Sequence, residues 1–244
     1  MKWVYTMGRI AGTEIKVHLT FVLFLGWYSL SGYNAGGPAG AITAALLLLA
    51  LFACILLHEF GHILMARRFG VRTPDVILLP IGGVARLERI PDEPRQELLI
   101  ALAGPAVTLA IVVLLYLVLA VSGPEPSLWG LQPAGPFLDN LMRVNLYLLL
   151  FNLFPAFPMD GGRVLRALLA SRLGLVAGTR IAARLGQASA VVAGFYGLTA
   201  GMPILLLISL FVFLGAGAEA AAVETRAAGA GLNAAQMMVT DFRS

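Results

Sequence analysis

The sequence predicts an all-α polytopic membrane protein with about six transmembrane helices and a small membrane-associated β-hairpin between the second and third. Three observations carry this. Of the 244 residues, 59% are hydrophobic and only 12% charged, against about 25% charged in an ordinary soluble domain. Mean hydropathy is +0.86, and the apolar residues gather into runs long enough to span a bilayer core of roughly 30 Å. The lysines and arginines stand at the ends of these runs, where they report membrane topology. A net charge of +4 and a pI near 9.6 would suit nucleic acid, but the basic residues form no stripe, and nucleic acid is excluded as a partner.

Residues 1–17 are polar or mixed, with Lys2, Arg9 and Lys16, and Val17 to Ala35 forms the first span. No small-residue cleavage site follows directly, so this is a retained helix and not a signal peptide. His18 is an interfacial polar residue at its start. Trp27, Tyr28 and Tyr33 suit a membrane interface, and Gly36-Gly37-Pro38 breaks the run.

The second span, about Ala41 to Ala66, carries His58-Glu59-Phe60-Gly61-His62 and ends at Arg67-Arg68. Side chains four apart on a helix share a face, so His58 and His62 can aim two imidazoles at one metal ion. Glu59 falls beside that face, where it can reach a water without being a ligand. The alternative is a pair of satisfied core histidines. Against it, residues 41–57 carry no charge, and an ionisable group deep in such a helix costs at least a few kcal/mol. The single cysteine, Cys54, excludes an intrachain disulfide and a cysteine-based zinc site. It reads as a small buried apolar residue, one turn before His58.

Between Gly70 and Pro94 the chain is too polar to cross a membrane. Val76 to Ile90 reads as two β-inclined runs around Gly82-Gly83, either a hairpin or an ordinary connector. As a hairpin, its Ile81, Gly82, Gly83 and Val84 would offer unpaired backbone to protein, water or a substrate strand. Leu98 to Val121 is the third span, with a kink expected at Gly104-Pro105. Ser122 to Asp139 is a loop, and a fourth span begins near Asn140.

That span meets Asn152-Leu-Phe-Pro155-Ala-Phe-Pro158-Met-Asp160-Gly161-Gly162. Two prolines and two glycines cannot continue a regular helix, so the chain unwinds near Asp160. A carboxylate there is either a third metal ligand, leaving a fourth position for water, or the cap of a helix starting at Gly161. A fifth span covers about Leu185 to Ala200 and a sixth Met202 to Ala218, their boundary near Gly201-Met202-Pro203. With six spans, the arginine- and lysine-bearing loops fall on one side and both termini are cytoplasmic in the cell membrane. His58 then lies roughly 13 Å inside the boundary marked by Arg67, at 1.5 Å per residue.

The pairing of HEFGH with NLFPAFPMDGG resembles the site-2 proteases of peptidase family M50, zinc metalloproteases that cut the transmembrane segments of other proteins. The resemblance covers nearly all of residues 1–220. It implies a single Zn2+ held by His58, His62 and Asp160, Glu59 as catalytic base, Asn152 as a residue that orients substrate or stabilises the oxyanion, and a single-span membrane protein in the lipid bilayer as substrate. Residues 1–222 would form the protease domain and residues 223–244 a linker. In the linker, Leu232 to Ser244 looks like the opening of a cystathionine-β-synthase (CBS) module that stops almost at once, or is a short tail. Nucleotide control follows only if that module is complete. The sequence leaves a homo-oligomer open. Two other classes remain at this point: a metal transporter, which would relay ionisable residues along a path, and a non-catalytic membrane scaffold.

Overall fold

The computed structural model describes residues 3–86, 88, 93–122, 128–130 and 135–229. The chain divides into two compact units, Met1–Leu153 and Phe154–Ser244.

The first unit contains a four-stranded sheet that the all-α expectation lacks. Its order is β1 (Val4–Ile10), β2 (Thr13–His18), β3 (Asp75–Leu79), β4 (Gly82–Ala85). The segment read as merely polar, residues 1–17, is a hairpin, with Ile10 opposite Thr13. Its two-residue turn, Ala11 and Gly12, has both φ angles positive at 47° and 72°, the geometry that matches strand twist in short hairpins. The second hairpin lies where expected, but its turn is Pro80-Ile81, because Leu79 pairs with Gly82. Gly82 and Gly83 are therefore strand residues and not the turn. Strands β2 and β3 are parallel, which requires a long crossover between them.

That crossover is α1 (Leu19–Arg68), broken at Gly36 and Gly37, where φ is −151° and 61°. The break is a reversal of direction. Phe21 and Phe52 pack in a tilted arrangement with ring centroids 4.4 Å apart, whereas 31 residues of straight helix would separate them by roughly 46 Å. A Cβ at Gly32 would meet Gly40 and Ala44, so these small residues let the two arms, 19–35 and 38–68, touch. The segments expected as the first and second spans thus form a helical hairpin, broken where the Gly-Gly-Pro signal predicts. His18 caps its start, its Nδ1 accepting from the Thr20 N–H. Phe21, Leu48, Phe52 and Ile63 from the two arms pack with Val76 and Leu78 of β3.

Helix α2 (Pro94–Ser122) continues through Pro105 as one helix, and α3 (Phe137–Leu153) follows. Arg143 is buried in α3, donating to the Gly130 carbonyl at 2.9 Å and to Asp139 at 3.2 Å. The Gly130 N–H donates to the Tyr147 hydroxyl.

In the second unit, residues 154–159 turn tightly, with Met159 N–H donating to the Ala156 carbonyl and Gly162 N–H to Met159. Then come α4 (Asp160–Leu173), α5 (Leu175–Thr199) and α6 (Pro203–Gly229). Helix α5 starts ten residues before the expected fifth span. The arginines that made residues 163–184 look like a connector are helical, and Gly174, with φ at 80°, makes the break instead. Small residues bring these helices close: a Cβ at Gly178 would strike the Ala170 backbone, and one at Gly197 would approach that of Leu206. Arg166 is buried, paired with Glu219 and stacked 5.0 Å from the Phe157 ring centroid. Helix α6 passes residue 222 without a break, and the CBS-like stretch 232–244 lies outside the described residues.

Among the described residues, three helices are long and apolar enough to cross a membrane: α1, α2 and α6.

Candidate metal centre

The second arm of α1 brings His58 and His62 to one face, as their spacing requires. Both are buried, and their Nε2 atoms lie 3.1 Å apart. Helix α2 sets both rings from behind. His62 Nδ1 is 2.7 Å from the Ile100 carbonyl oxygen, which can only accept, so the proton sits on Nδ1 and the lone pair on Nε2. His58 Nδ1 is 2.8 Å from the Thr108 hydroxyl, which itself has the Gly104 carbonyl as acceptor at 3.4 Å. Thr108 therefore accepts from His58, and the second lone pair also sits on Nε2. These tautomers are assigned from the hydrogen-bond network.

With both Nδ1 atoms engaged by α2, the two Nε2 atoms converge at 3.1 Å. Nitrogens bound to one tetrahedral zinc at about 2.05 Å would stand roughly 3.3 Å apart, so the donor pair fits zinc. The outer hydrogen bonds are of the kind that fix a metal-binding histidine's orientation.

Close approach of α1 and α2 makes this arrangement possible. A Cβ at Gly61 would strike the Ala103 carbonyl, and one at Gly104 would fall on the His62 ring. Gly104 thus also provides space beside the His62 ring. Thr108 and the Ile100 carbonyl were missed by sequence reasoning. The one available signal was a polar side chain inside an uncharged 24-residue run, Leu98 to Val121.

Glu59 is half-buried and faces β4: a Cβ at Gly83 would lie 2.8 Å from Glu59 Cγ and 3.2 Å from its Oε1. The hairpin is therefore beside the predicted base. Ile81 and Val84 are exposed, and Gly82 and Gly83 are half-buried. β4 lies at the end of the sheet order, so one of its edges is not paired by another described strand. Asn152 is half-buried in the last turn of α3, and Cys54 is half-buried in α1.

Asp160 is the first residue of α4, and Met159 precedes it as the N-cap without a side-chain cap bond. A carboxylate at a helix N-terminus is favoured by the macrodipole. Asp160 is buried, and its Oδ1 lies 3.7 Å from Arg163 Nη1. His58 and His62 in the first unit and Asp160 in the second are the candidate donors, each offering one ligand atom. Two imidazoles and a carboxylate form a donor set suited to catalytic zinc.

The profile of peptidase family M50 matches residues 46–134 and 127–193, which include both motifs. A zinc metalloprotease of Methanocaldococcus jannaschii is 40% identical over 225 residues, or 92% of this chain and 62% of that protein. A relative from Synechocystis sp. is 34% identical over 233 residues, covering 88% of this chain and 59% of its own length. This chain thus spans about three fifths of these relatives. The solved structure of a site-2 protease from M. jannaschii superposes with a TM-score of 0.66 at 38% identity, covering 89% of this chain and 95% of that one. With the two buried histidines, the half-buried glutamate and the later aspartate all inside the matched residues, this chain is a multi-pass membrane protein that belongs to peptidase family M50.

Proposed function

We propose that the protein is an intramembrane zinc endopeptidase that hydrolyses peptide bonds within or near transmembrane segments of membrane-protein substrates. The observation that carries the reading is the His58–His62 pair, with its Nε2 lone pairs convergent and Glu59 alongside. The name of the M. jannaschii relative supports it.

His58, His62 and Asp160 would hold the zinc. When bound, it supplies a Lewis acid that polarises the scissile carbonyl and makes water nucleophilic at neutral pH. The carboxylate of Glu59 takes the proton from the attacking water and passes it to the departing amine nitrogen. Asn152, through its side-chain N–H, donates to the substrate carbonyl as charge develops there. A helical substrate must first unwind, and freeing its backbone in lipid costs several kcal/mol per group. The edge of β4, with Ile81 of the preceding turn, offsets this by pairing with the extended substrate, with Ile81 and Val84 touching its side chains.

The reading includes six spans. They are the two arms of α1, α2, α3, α5 and α6, with both termini cytoplasmic, on the ground that residues 31–40 and 122–139 contain no lysine or arginine. It also includes a CBS-type module after α6, resting on the pattern of residues 232–244, with nucleotide as its ligand.

Cleavage of a single-span substrate in detergent, with bound zinc quantified, tests the reading. Glu59→Gln should retain zinc and lose roughly 100-fold or more in rate, the scale of general-base catalysis. Equal turnover excludes the assigned role, and metal flux in proteoliposomes without proteolysis would indicate a transporter. In the same assay Ile81→Asp and Val84→Asp should slow turnover at unchanged zinc content. Unchanged turnover would remove β4 from substrate contact.

A further inference from the structure

We infer that β1 is a membrane-interface anchor, whose Trp3 and Tyr5 side chains sit in the headgroup layer of the bilayer. The sheet has two unlike faces. On one, Val17 of β2 and Val76 and Leu78 of β3 pack on the α1 core. Val17 is opposite Leu78, and Ile15 is opposite Val76. Tyr5 is opposite Val17 on the other side, so it continues that same apolar face one strand further out. Trp3, two residues earlier, falls on the same face by the alternation of an extended chain. The other face carries Glu14, Lys16 and Asp75, joined by ion pairs of 3.0 and 2.7 Å to the lysine. That is the charged face.

Beneath β2 and β3 the apolar face is sealed by α1, but beneath β1 it overhangs bare. Trp3 and Tyr5 are each 57% exposed, and Met7, at the bulge between Thr6 and Gly8, is 73% exposed. The Leu19 N–H donates to the Trp3 carbonyl at 2.9 Å. This holds Trp3 level with the first residue of a membrane-crossing helix whose first turns expose Val22 and Leu23. The overhang is therefore continuous with the lipid-facing surface of α1, at the depth where that surface begins. Tryptophan and tyrosine, with apolar rings and one polar tip, suit that layer. The occupant is the lipid interface itself. Because β1 is hydrogen-bonded through β2 and β3 to β4, the anchor also fixes the depth of β4 relative to the bilayer surface. The inference rests on membrane insertion and does not need the peptidase reading.

Fluorescence of the full chain in proteoliposomes tests it. With Trp27→Phe and Trp129→Phe, the remaining Trp3 emission should be quenched by lipids brominated near the headgroup, less by lipids brominated near the chain end, and little by aqueous iodide. Strong iodide quenching without lipid quenching would overturn the inference, since β1 would then stand in water. Stronger quenching by the deep probe would also overturn it. So would lipid quenching that disappears as the protein-to-lipid ratio rises, which would mean a second copy covers the strand. As a check independent of the double replacement, Trp3→Phe in the otherwise unaltered chain should remove specifically the shallow-quenched part of the emission.

Discussion

Thr108 accepts the His58 Nδ1 proton at 2.8 Å from inside the bilayer-length part of α2, and a valine there would keep the shape while removing the acceptor. The His58 N–H would then be buried without its partner, and the ring would be free to turn. Loss of such outer partners typically costs 10- to 100-fold in metal affinity, a magnitude of about 1.4 to 2.7 kcal/mol. Thr108→Val should therefore weaken zinc binding by about that factor in chelator competition, and Thr108→Ser should restore most of it. Equal affinity in all three proteins would show that the hydroxyl has no part in orienting the ligand. His58, Glu59 and His62 were legible in the sequence because one helical period brings them together. Thr108 and Gly104 were not, because their partners lie far along the chain and no local pattern links them. Gly104, expected as half of a kink, also leaves room for the His62 ring through its missing side chain.

At the level of elements, the second hairpin is clamped to the sheet by one carboxylate. Asp75 on β3 pairs with Lys16 of β2 and with Arg86, just past β4. The Arg86 guanidinium, followed by Lys16, outweighs desolvation and holds the Asp75 carboxyl down at about 2, from an ordinary 3.8. A folded-state value below the unfolded one contributes stability that is complete above pH 3.8 and is lost as pH falls toward 2. The side chain of Asp75 is 3% exposed but that of Arg86 is 63% exposed, so solvent screens the pair and the contribution is at most about 2 kcal/mol. Asp75→Asn should lower the melting temperature in detergent at pH 7, and the gap from the natural protein should narrow as pH falls below about 4. A gap independent of pH would mean that the aspartate acts through shape alone. The break in α1 and the start of α6 at Pro203 were readable from Gly-Gly-Pro and Gly-Met-Pro. The β1–β2 hairpin was overlooked because its turn, Ala11-Gly12, is not among the strongest turn dipeptides. Its strands carry charges that mark a solvated face and not a loop.

For the whole molecule, the distribution of charge argues for sidedness, and Arg143 is the residue that tests the argument. It follows a loop region otherwise free of lysine and arginine, so a simple tally would count it against the proposed topology. Its guanidinium is buried and tied to Asp139 and the Gly130 carbonyl, so it acts as an internal tie and not as a free surface charge. The rule counts cations that resist translocation, and a neutralised pair weighs less in that count. Cysteine reporters in a Cys54→Ser background can decide the matter with a membrane-impermeant maleimide. In the six-span arrangement, Arg72→Cys and Gly174→Cys label from the cytoplasmic side. Gly135→Cys and Gly201→Cys label from the opposite side. Because 72 and 135 flank α2, labelling of both from one face would remove α2 as a span. Labelling of 174 and 201 from one face would do the same for α5, whose arginines at 180 and 184 leave it the least apolar of the proposed spans. If α5 failed, an odd number of spans would remain and the C-terminus would move to the opposite face. The proposed CBS-type module would then lie outside the cytoplasm and away from nucleotide, so the regulatory part of the reading depends on the outcome at these two positions.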